Sequence, residues 1–261
     1  MISETLGIIG GTGWLGGAIA KALMAKSLLP AGNLIISNRT GRHPLAQQGV
    51  CLVTDNQALV TRSDMVIIAV RPEHFASLDI DATGKTVVSL MAGVTAQTIA
   101  AQTSTSAVVR AMPNAAVEIG QSFTPWFCWG EVNAAARELV QRLFESVGTA
   151  AEVQEEGFID YLSALSGTGP AFPALLMTAL ANQAKAAGIP SDIAQLAAKN
   201  VVVNGSQLLE NHDAQEMIEA LVAYRGVTAA ALQSMIDSRF EAHIGRALEA
   251  GAAVARKGLH A

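Results

Sequence analysis

Gly11-Thr12-Gly13-Trp14-Leu15-Gly16 fits the pattern G-x-G-x-x-G and follows a short apolar run, Leu6 to Gly10, that reads as a strand. Helical spacing then runs from Gly16 to Ser27. In that setting the pattern is specific, because each glycine has a physical task. Gly11 permits a tight turn, Gly13 lets the backbone approach a pyrophosphate, and Gly16 allows a helix to pack closely on a strand. Thr12, Trp14 and Leu15 complete the loop and open the helix, where unbonded backbone amides meet phosphate charge. The chemistry implied is dinucleotide binding.

A second cluster selects the dinucleotide. An NAD site usually places Asp or Glu about 20 residues past the glycines, to bond the ribose 2′-hydroxyl. No acidic residue lies between Glu4 and Asp55, and the second strand ends in Ser37-Asn38-Arg39-Thr40-Gly41-Arg42. A carboxylate there would repel a 2′-phosphate. Asn38, Arg39 and Thr40 can bond one, with Arg39 supplying charge and a planar fork of donors. The expected cofactor is NADP, with NADPH preferred over NADH. Asn56 is a further candidate contact.

The elements that must hold these residues follow from hydrophobic patterning. Short apolar runs at Leu6–Gly10, Asn33–Ser37, Gly49–Val53, Asp64–Val70, Lys85–Leu90 and Ala107–Arg110 alternate with helical patterns. This predicts an α/β fold, with a Rossmann-type parallel sheet covered on both faces. From Phe158 onward the pattern is helical, over 158–187, 191–211, 213–223 and 228–256. Gly188-Ile189-Pro190 separates the first pair, and Asp213 with Glu216 has the spacing of a helix cap. The expected division is a cofactor-binding domain over 1–153 and an all-α domain over 154–261. Inside the first helical stretch, Ser166-Gly167-Thr168-Gly169-Pro170 is costly for a helix interior and predicts a break with Pro170 starting a new helix.

Composition narrows the partners. The chain has 261 residues, a net charge of −5 and only 15% charged residues. With no basic run, nucleic acid and anionic membranes are poor candidates. Cys51 and Cys128 match no metal spacing and read as free thiols, and no metal is expected. There is no charged-then-apolar leader, and no apolar run of about 18 residues free of glycine and charge, so a cytoplasmic protein is expected.

Three more segments leave the ends of predicted strands, where ligands sit in open α/β sheets. They are Ala69-Val70-Arg71-Pro72, Ala92-Gly93-Val94 and Met112-Pro113-Asn114. Pro72 and Pro113 also suit plain turns, Met112 a core, and Arg71 with His74 a solvated surface. Asn114 can orient a carboxamide or cap the next helix.

At these segments the chain resembles the pyrroline-5-carboxylate reductases. Val70-Arg71-Pro72-Glu73-His74 is similar to their "VKPQ" loop, with Arg71 in place of lysine. Ser89–Val94 resembles "SIAAGV", Val109–Asn114 resembles "VRVMPNTP", and Leu165–Phe172 resembles "LSGSGPAY". The resemblance implies a helical dimerisation domain interlocking with a second subunit, hence a homodimer or a higher oligomer built from dimers. It also implies NAD(P)H reduction of a small cyclic imine, Δ1-pyrroline-5-carboxylate, to proline.

One segment departs from that family. Where the family carries "SPGGTT", this chain reads Ala223-Tyr224-Arg225-Gly226-Val227-Thr228. The resemblance makes Thr228 the catalytic residue, bonded to the ring nitrogen. Gly226, Val227 and the following amides hold the substrate carboxylate. Arg225 adds a cation able to pair with a carboxylate bidentately. The altered loop leaves two other expectations open: a related cyclic imine acid as substrate, or a non-catalytic NADPH-binding paralogue.

Overall fold

A computed structural model describes residues 2–257. Its eight strands are β1 (Leu6–Ile9), β2 (Leu34–Ser37), β3 (Cys51–Val53), β4 (Met65–Ile68), β5 (Thr86–Ser89), β6 (Ala107–Ala111), β7 (Ser122–Gly130) and β8 (Gly148–Glu152). They form one sheet in the order β3-β2-β1-β4-β5-β6-β7-β8. The first six strands are parallel, as the unbroken apolar runs predict. The order reverses between β1 and β4, which opens a crevice at their carboxyl ends.

Period-two alternation sends successive side chains to opposite faces, and both faces are covered. Leu6 and Ile8 of β1, Leu34 and Ile36 of β2 and Met65 and Ile67 of β4 join one core. Ile9, Ile35, Val66 and Ile68 join the other. Helices α1 (Trp14–Ala25), α2 (Asn56–Arg62), α3 (Pro72–Phe75), α4 (Ala96–Thr103) and α5 (Ala134–Glu145) connect the strands.

The parallel sheet foreseen from sequence is extended by two strands that the patterning did not reveal. β7 runs antiparallel to β6, and β8 pairs parallel with β7. β7 carries Pro125 mid-strand, a residue that normally argues against a central strand because it donates nothing to the ladder. Its carbonyl still accepts from Met112 N–H at 3.0 Å.

Packing divides the described chain into one compact unit of 2–169 with 248–257, and another of 170–247. These two compact units part at Gly169–Pro170. α6 (Glu156–Leu162) belongs with the sheet because Glu156 and Asp160 pair with Arg110 of β6. Beyond α6 the backbone widens into a π-turn, Ser163–Gly167, and Gly169 turns through φ +48°, so the predicted break at 166–170 is present. Glu156–Ala186 is apolar and long enough by composition to cross a membrane. The π-turn and the glycine–proline break interrupt it.

The second unit holds α7 (Ala171–Ala186), α8 (Ser191–Lys199), α9 (Ala214–Ala223), α10 (Val227–Asp237) and the start of α11 (Phe240–Lys257). Gly188 at φ +89° ends α7, and the Asp213 carboxylate caps α9 by accepting from Gln215 and Glu216 N–H. The single helix expected over 228–256 is two, because Arg239 adopts φ +57° between them. Leu175, Leu196, Val201, Leu208 and Ile236 are exposed on this unit, more apolar surface than an isolated helical layer keeps.

The β7–β8 edge makes a sharp prediction. A Cβ on Gly148 would lie 2.0 Å from the Ser122 carbonyl oxygen and 2.4 Å from its nitrogen. Gly148→Ala should cost about 3 kcal/mol in urea unfolding. An unchanged midpoint would contradict this strand pairing.

Candidate functional site

The glycine turn shows why side chains are excluded there. Gly10 takes φ +80°, so the left-handed bend falls one residue before Gly11, which the sequence had credited with it. Gly11 is required for another reason: its Cβ would lie 2.6 Å from Cγ2 of Ile36. Gly16 has the expected role, since its Cβ would sit 2.9 Å from the Gly10 carbonyl oxygen and 3.0 Å from Cβ of Ala69. This contact seats α1 directly on the ends of β1 and β4.

Gly13 caps α1 with no side-chain hydrogen bond. The first intrahelical bond runs from Gly17 N–H to Gly13 C=O at 2.8 Å. The amides of Trp14, Leu15 and Gly16 therefore precede the ladder and are available to an anion. The Leu15 side chain packs against the core and offers a ligand only its backbone. The Trp14 ring is exposed, and its Nε1–H donates to Glu118.

A groove of about 710 Å³ opens at the switch between β1 and β4, and it brings together Thr12, Gly13, Asn38, Arg39, Asn56, Ala69, Val70 and Arg71. Asn38 organises the loop after β2. Its Oδ1 accepts from the Thr40 amide at 2.9 Å and hydroxyl at 3.0 Å, and its Nδ2 donates to the Arg42 carbonyl at 3.1 Å. Asn38 and Thr40 thus spend side-chain bonds on shaping the loop. Arg39 is exposed and makes no ion pair among the described residues. Asn56 accepts the Ser37 hydroxyl at 2.7 Å and so ties α2 to the end of β2. Arg71 is exposed and, among the described residues, pairs with Glu73 at 3.5 Å, and Pro72 opens α3. With phosphate-ready amides at one end and an unpaired guanidinium at the other, the groove fits a dinucleotide carrying a 2′-phosphate.

A second groove, about 770 Å³, lies along α1 and is lined by Lys21, His43 and Glu118 among others. Burial, then the Lys21 charge, holds the His43 pKa below its usual value, and its Nδ1 accepts from Leu45 N–H. This groove is not at the strand ends where the sheet gathers its loops, so size alone does not make it the cofactor site.

The remaining candidates flank the cofactor groove without lining it. Ala92 and Gly93, at φ +71°, follow β5. Met112 and Pro113 are buried after β6, so Met112 does serve as core. Asn114 serves as a cap: Oδ1 accepts from Ala116 N–H at 2.9 Å. Its Nδ2 donates to the Ser166 carbonyl at 2.9 Å, binding the β6 loop to the π-turn. Sequence reasoning missed Arg110. It is 2% exposed and bonds both Glu156 and Asp160 at 2.9 Å. A charge at the end of an apolar strand that must be covered on both faces was the signal that could have found it.

In the second unit the Ala223–Thr228 loop joins α9 to α10. Arg225 sits at φ +62°, a conformation that suits glycine, and Gly226 follows at φ +98° as the cap of α10, with no side-chain hydrogen bond. The amides of Val227 and Thr228 open the helix. Tyr224 and Val227 are 88% and 90% exposed, so neither fills the space at the helix start from within this chain.

Fold and groove together define a dinucleotide-binding oxidoreductase. A family model described as NADP oxidoreductase, coenzyme F420-dependent, matches residues 5–93. One described as pyrroline-5-carboxylate reductase dimerisation matches 156–258. A pyrroline-5-carboxylate reductase of Synechocystis sp. is 33% identical over 224 residues, covering 82% of this chain and 83% of the relative. The solved pyrroline-5-carboxylate reductase of Coxiella burnetii superposes with a TM-score of 0.86 at 25% identity, over 98% of both chains. The Plasmodium falciparum pyrroline carboxylate reductase, solved with NADP bound, shares the fold with a TM-score of 0.82 at 21% identity, again over 98% of both chains. The chain belongs to the pyrroline-5-carboxylate reductase family. It is accordingly an NAD(P)H-dependent oxidoreductase of the kind that acts on C=N bonds, and its helical region is an oligomerisation domain.

Arg39→Ala should raise the NADPH KM about 10- to 100-fold, the cost of losing a charged hydrogen bond. NADH should shift less than about threefold. Equal effects on the two cofactors would remove Arg39 from the 2′-phosphate.

Proposed function

We propose that this chain reduces Δ1-pyrroline-5-carboxylate to L-proline, using NADPH in preference to NADH. The supporting observation is the unblocked start of α10, with Gly226 as cap and Thr228 in the first turn, in a chain of this family. NADPH, when bound, supplies the hydride; the protein supplies position and electrostatics.

Thr228 donates its hydroxyl to the ring nitrogen, drawing electron density from the C=N carbon. The nitrogen takes one proton from solvent as the carbon takes the hydride, so no strong base is needed. The amides of Val227 and Thr228 take the substrate carboxylate at the positive end of α10. Arg225 adds a second, charged donor to that carboxylate and replaces the hydroxyl that the family's serine would provide at Ala223. Thr12, Gly13 and the α1 amides hold the pyrophosphate. Arg39 takes the 2′-phosphate. Asn38, Thr40 and Asn56 shape its surroundings. The loops Ala69–Pro72, Ala92–Gly93 and Met112–Asn114 face the nicotinamide half.

The working protein is a homodimer or a larger assembly built from dimers, which covers the apolar surface of α7, α8 and α10. It is cytoplasmic, and its partner is a small imine acid, not nucleic acid or membrane.

A purified-protein screen following NADPH absorbance should show turnover of the five-membered imine acid. Faster turnover of a six-membered imine acid would move the substrate assignment, and turnover of neither would leave a cofactor-binding paralogue. Thr228→Ala should lower kcat/KM about 10- to 1000-fold. An unchanged kcat/KM would remove Thr228 from the nitrogen. Arg225→Gly relieves a left-handed residue and should gain about 1 kcal/mol of stability while raising the imine KM. An unaltered KM would leave Arg225 outside the substrate site.

A further inference from the structure

We infer that Arg110 is a positioning residue for hydride transfer: its paired carboxylates lock the loops after β5 and β6 against α6. The inference rests on the reading that those loops face the nicotinamide.

Arg110 is among the largest fully buried side chains in the described chain. Its Nη1 donates to Oε1 of Glu156 and its Nη2 to Oδ1 of Asp160, both at 2.9 Å. Glu156 and Asp160 stand four residues apart on α6, so one face presents both carboxylates to one guanidinium. The same Glu156 Oε1 also accepts the Ala96 amide at 2.7 Å. Ala96 opens α4, with Thr95 as its cap between it and the Ala92–Val94 loop. One carboxylate oxygen therefore joins the β6 arginine to the segment that leaves β5.

The far end of the same segment is fixed separately. Past Asp160 the helix widens into the π-turn, where the Ser166 carbonyl takes the Asn114 amide. Gly167 lies beside Met112, where a Cβ would meet its Cγ at an ordinary contact distance of 3.5 Å. β6 thus grips the α6 segment at two points, with the Met112–Asn114 loop between them.

Stability alone does not call for this arrangement. A buried ion pair is often matched by apolar side chains of similar volume. Arg110 also leaves its Nε buried without a partner, a cost that an apolar residue would avoid. What the guanidinium uniquely offers is a planar fork that reaches two carboxylates at fixed angles, which lysine cannot do.

The test uses full-length Asp160→Ala and Arg110→Lys, with amide hydrogen exchange, NADPH affinity by fluorescence and steady-state kinetics. Exchange at 92–96 and 163–169 should quicken at least about tenfold. NADPH affinity should stay within about threefold, because the phosphate contacts lie elsewhere, while kcat falls about 10- to 100-fold. If Arg110→Lys does not fold, Asp160→Ala decides. Unchanged exchange in a folded variant overturns the inference, as does a loss of kcat matched by an equal loss of NADPH affinity. Wild-type protein inactive on every imine would sink the assigned reaction instead, and the exchange result would still decide whether Arg110 holds the loops.

Discussion

The structure depends on a close backbone approach at the turn from β1 into α1. Gly10 bends left-handed beneath the Ala69 carbonyl, Gly11 lies against Ile36, and Gly16 lies against Gly10 and Ala69. A side chain at any of these positions would lift α1 off the sheet. The first-turn amides would then no longer point into the crevice between β1 and β4. Phosphate affinity here is a property of backbone placement, and the placement is set by the absence of three Cβ atoms. The Arg39 loop and the segment after β4 line the same groove as this turn.

Much of this was legible in the sequence because it rests on local rules. The six parallel strands announce themselves as apolar runs buried on both sides, and the glycine spacing marks the turn. The lack of an acidic residue near Asn38 speaks for a 2′-phosphate. Other features depend on tertiary context. β7 hides behind Pro125, whose missing N–H matters little once its carbonyl is paired with Met112. The bend at Gly10 and the break at Arg239 are single φ values that no periodicity reports. That Asn114 caps one segment and ties another depends on where the chain brings Ala116 and Ser166. Arg110 lies within the Val109–Asn114 motif, yet its role depends on partners 46 and 50 residues away.

The helical region poses a different physical problem. Its exposed leucines, isoleucines and valines are a surface that water penalises, and the dimerisation family match accounts for what such a surface is for. The α9–α10 loop combines the family's open helix start with residues foreign to it. Arg225 accepts a left-handed backbone that glycine would take without strain. The same loop keeps Gly226 and Thr228, the two positions that the proposed chemistry needs most.

The central claim is that hydride passes from NADPH to the C=N carbon of a ring held at Thr228. Its most direct test is isotopic: incubate the protein with the pyrroline acid and NADPH deuterated at C4 of the nicotinamide, on the transferred face, and analyse the product by mass spectrometry and NMR. The account predicts proline with one deuterium at the former imine carbon. Proline without that label, or no reduced ring at all while NADPH remains bound, would contradict it.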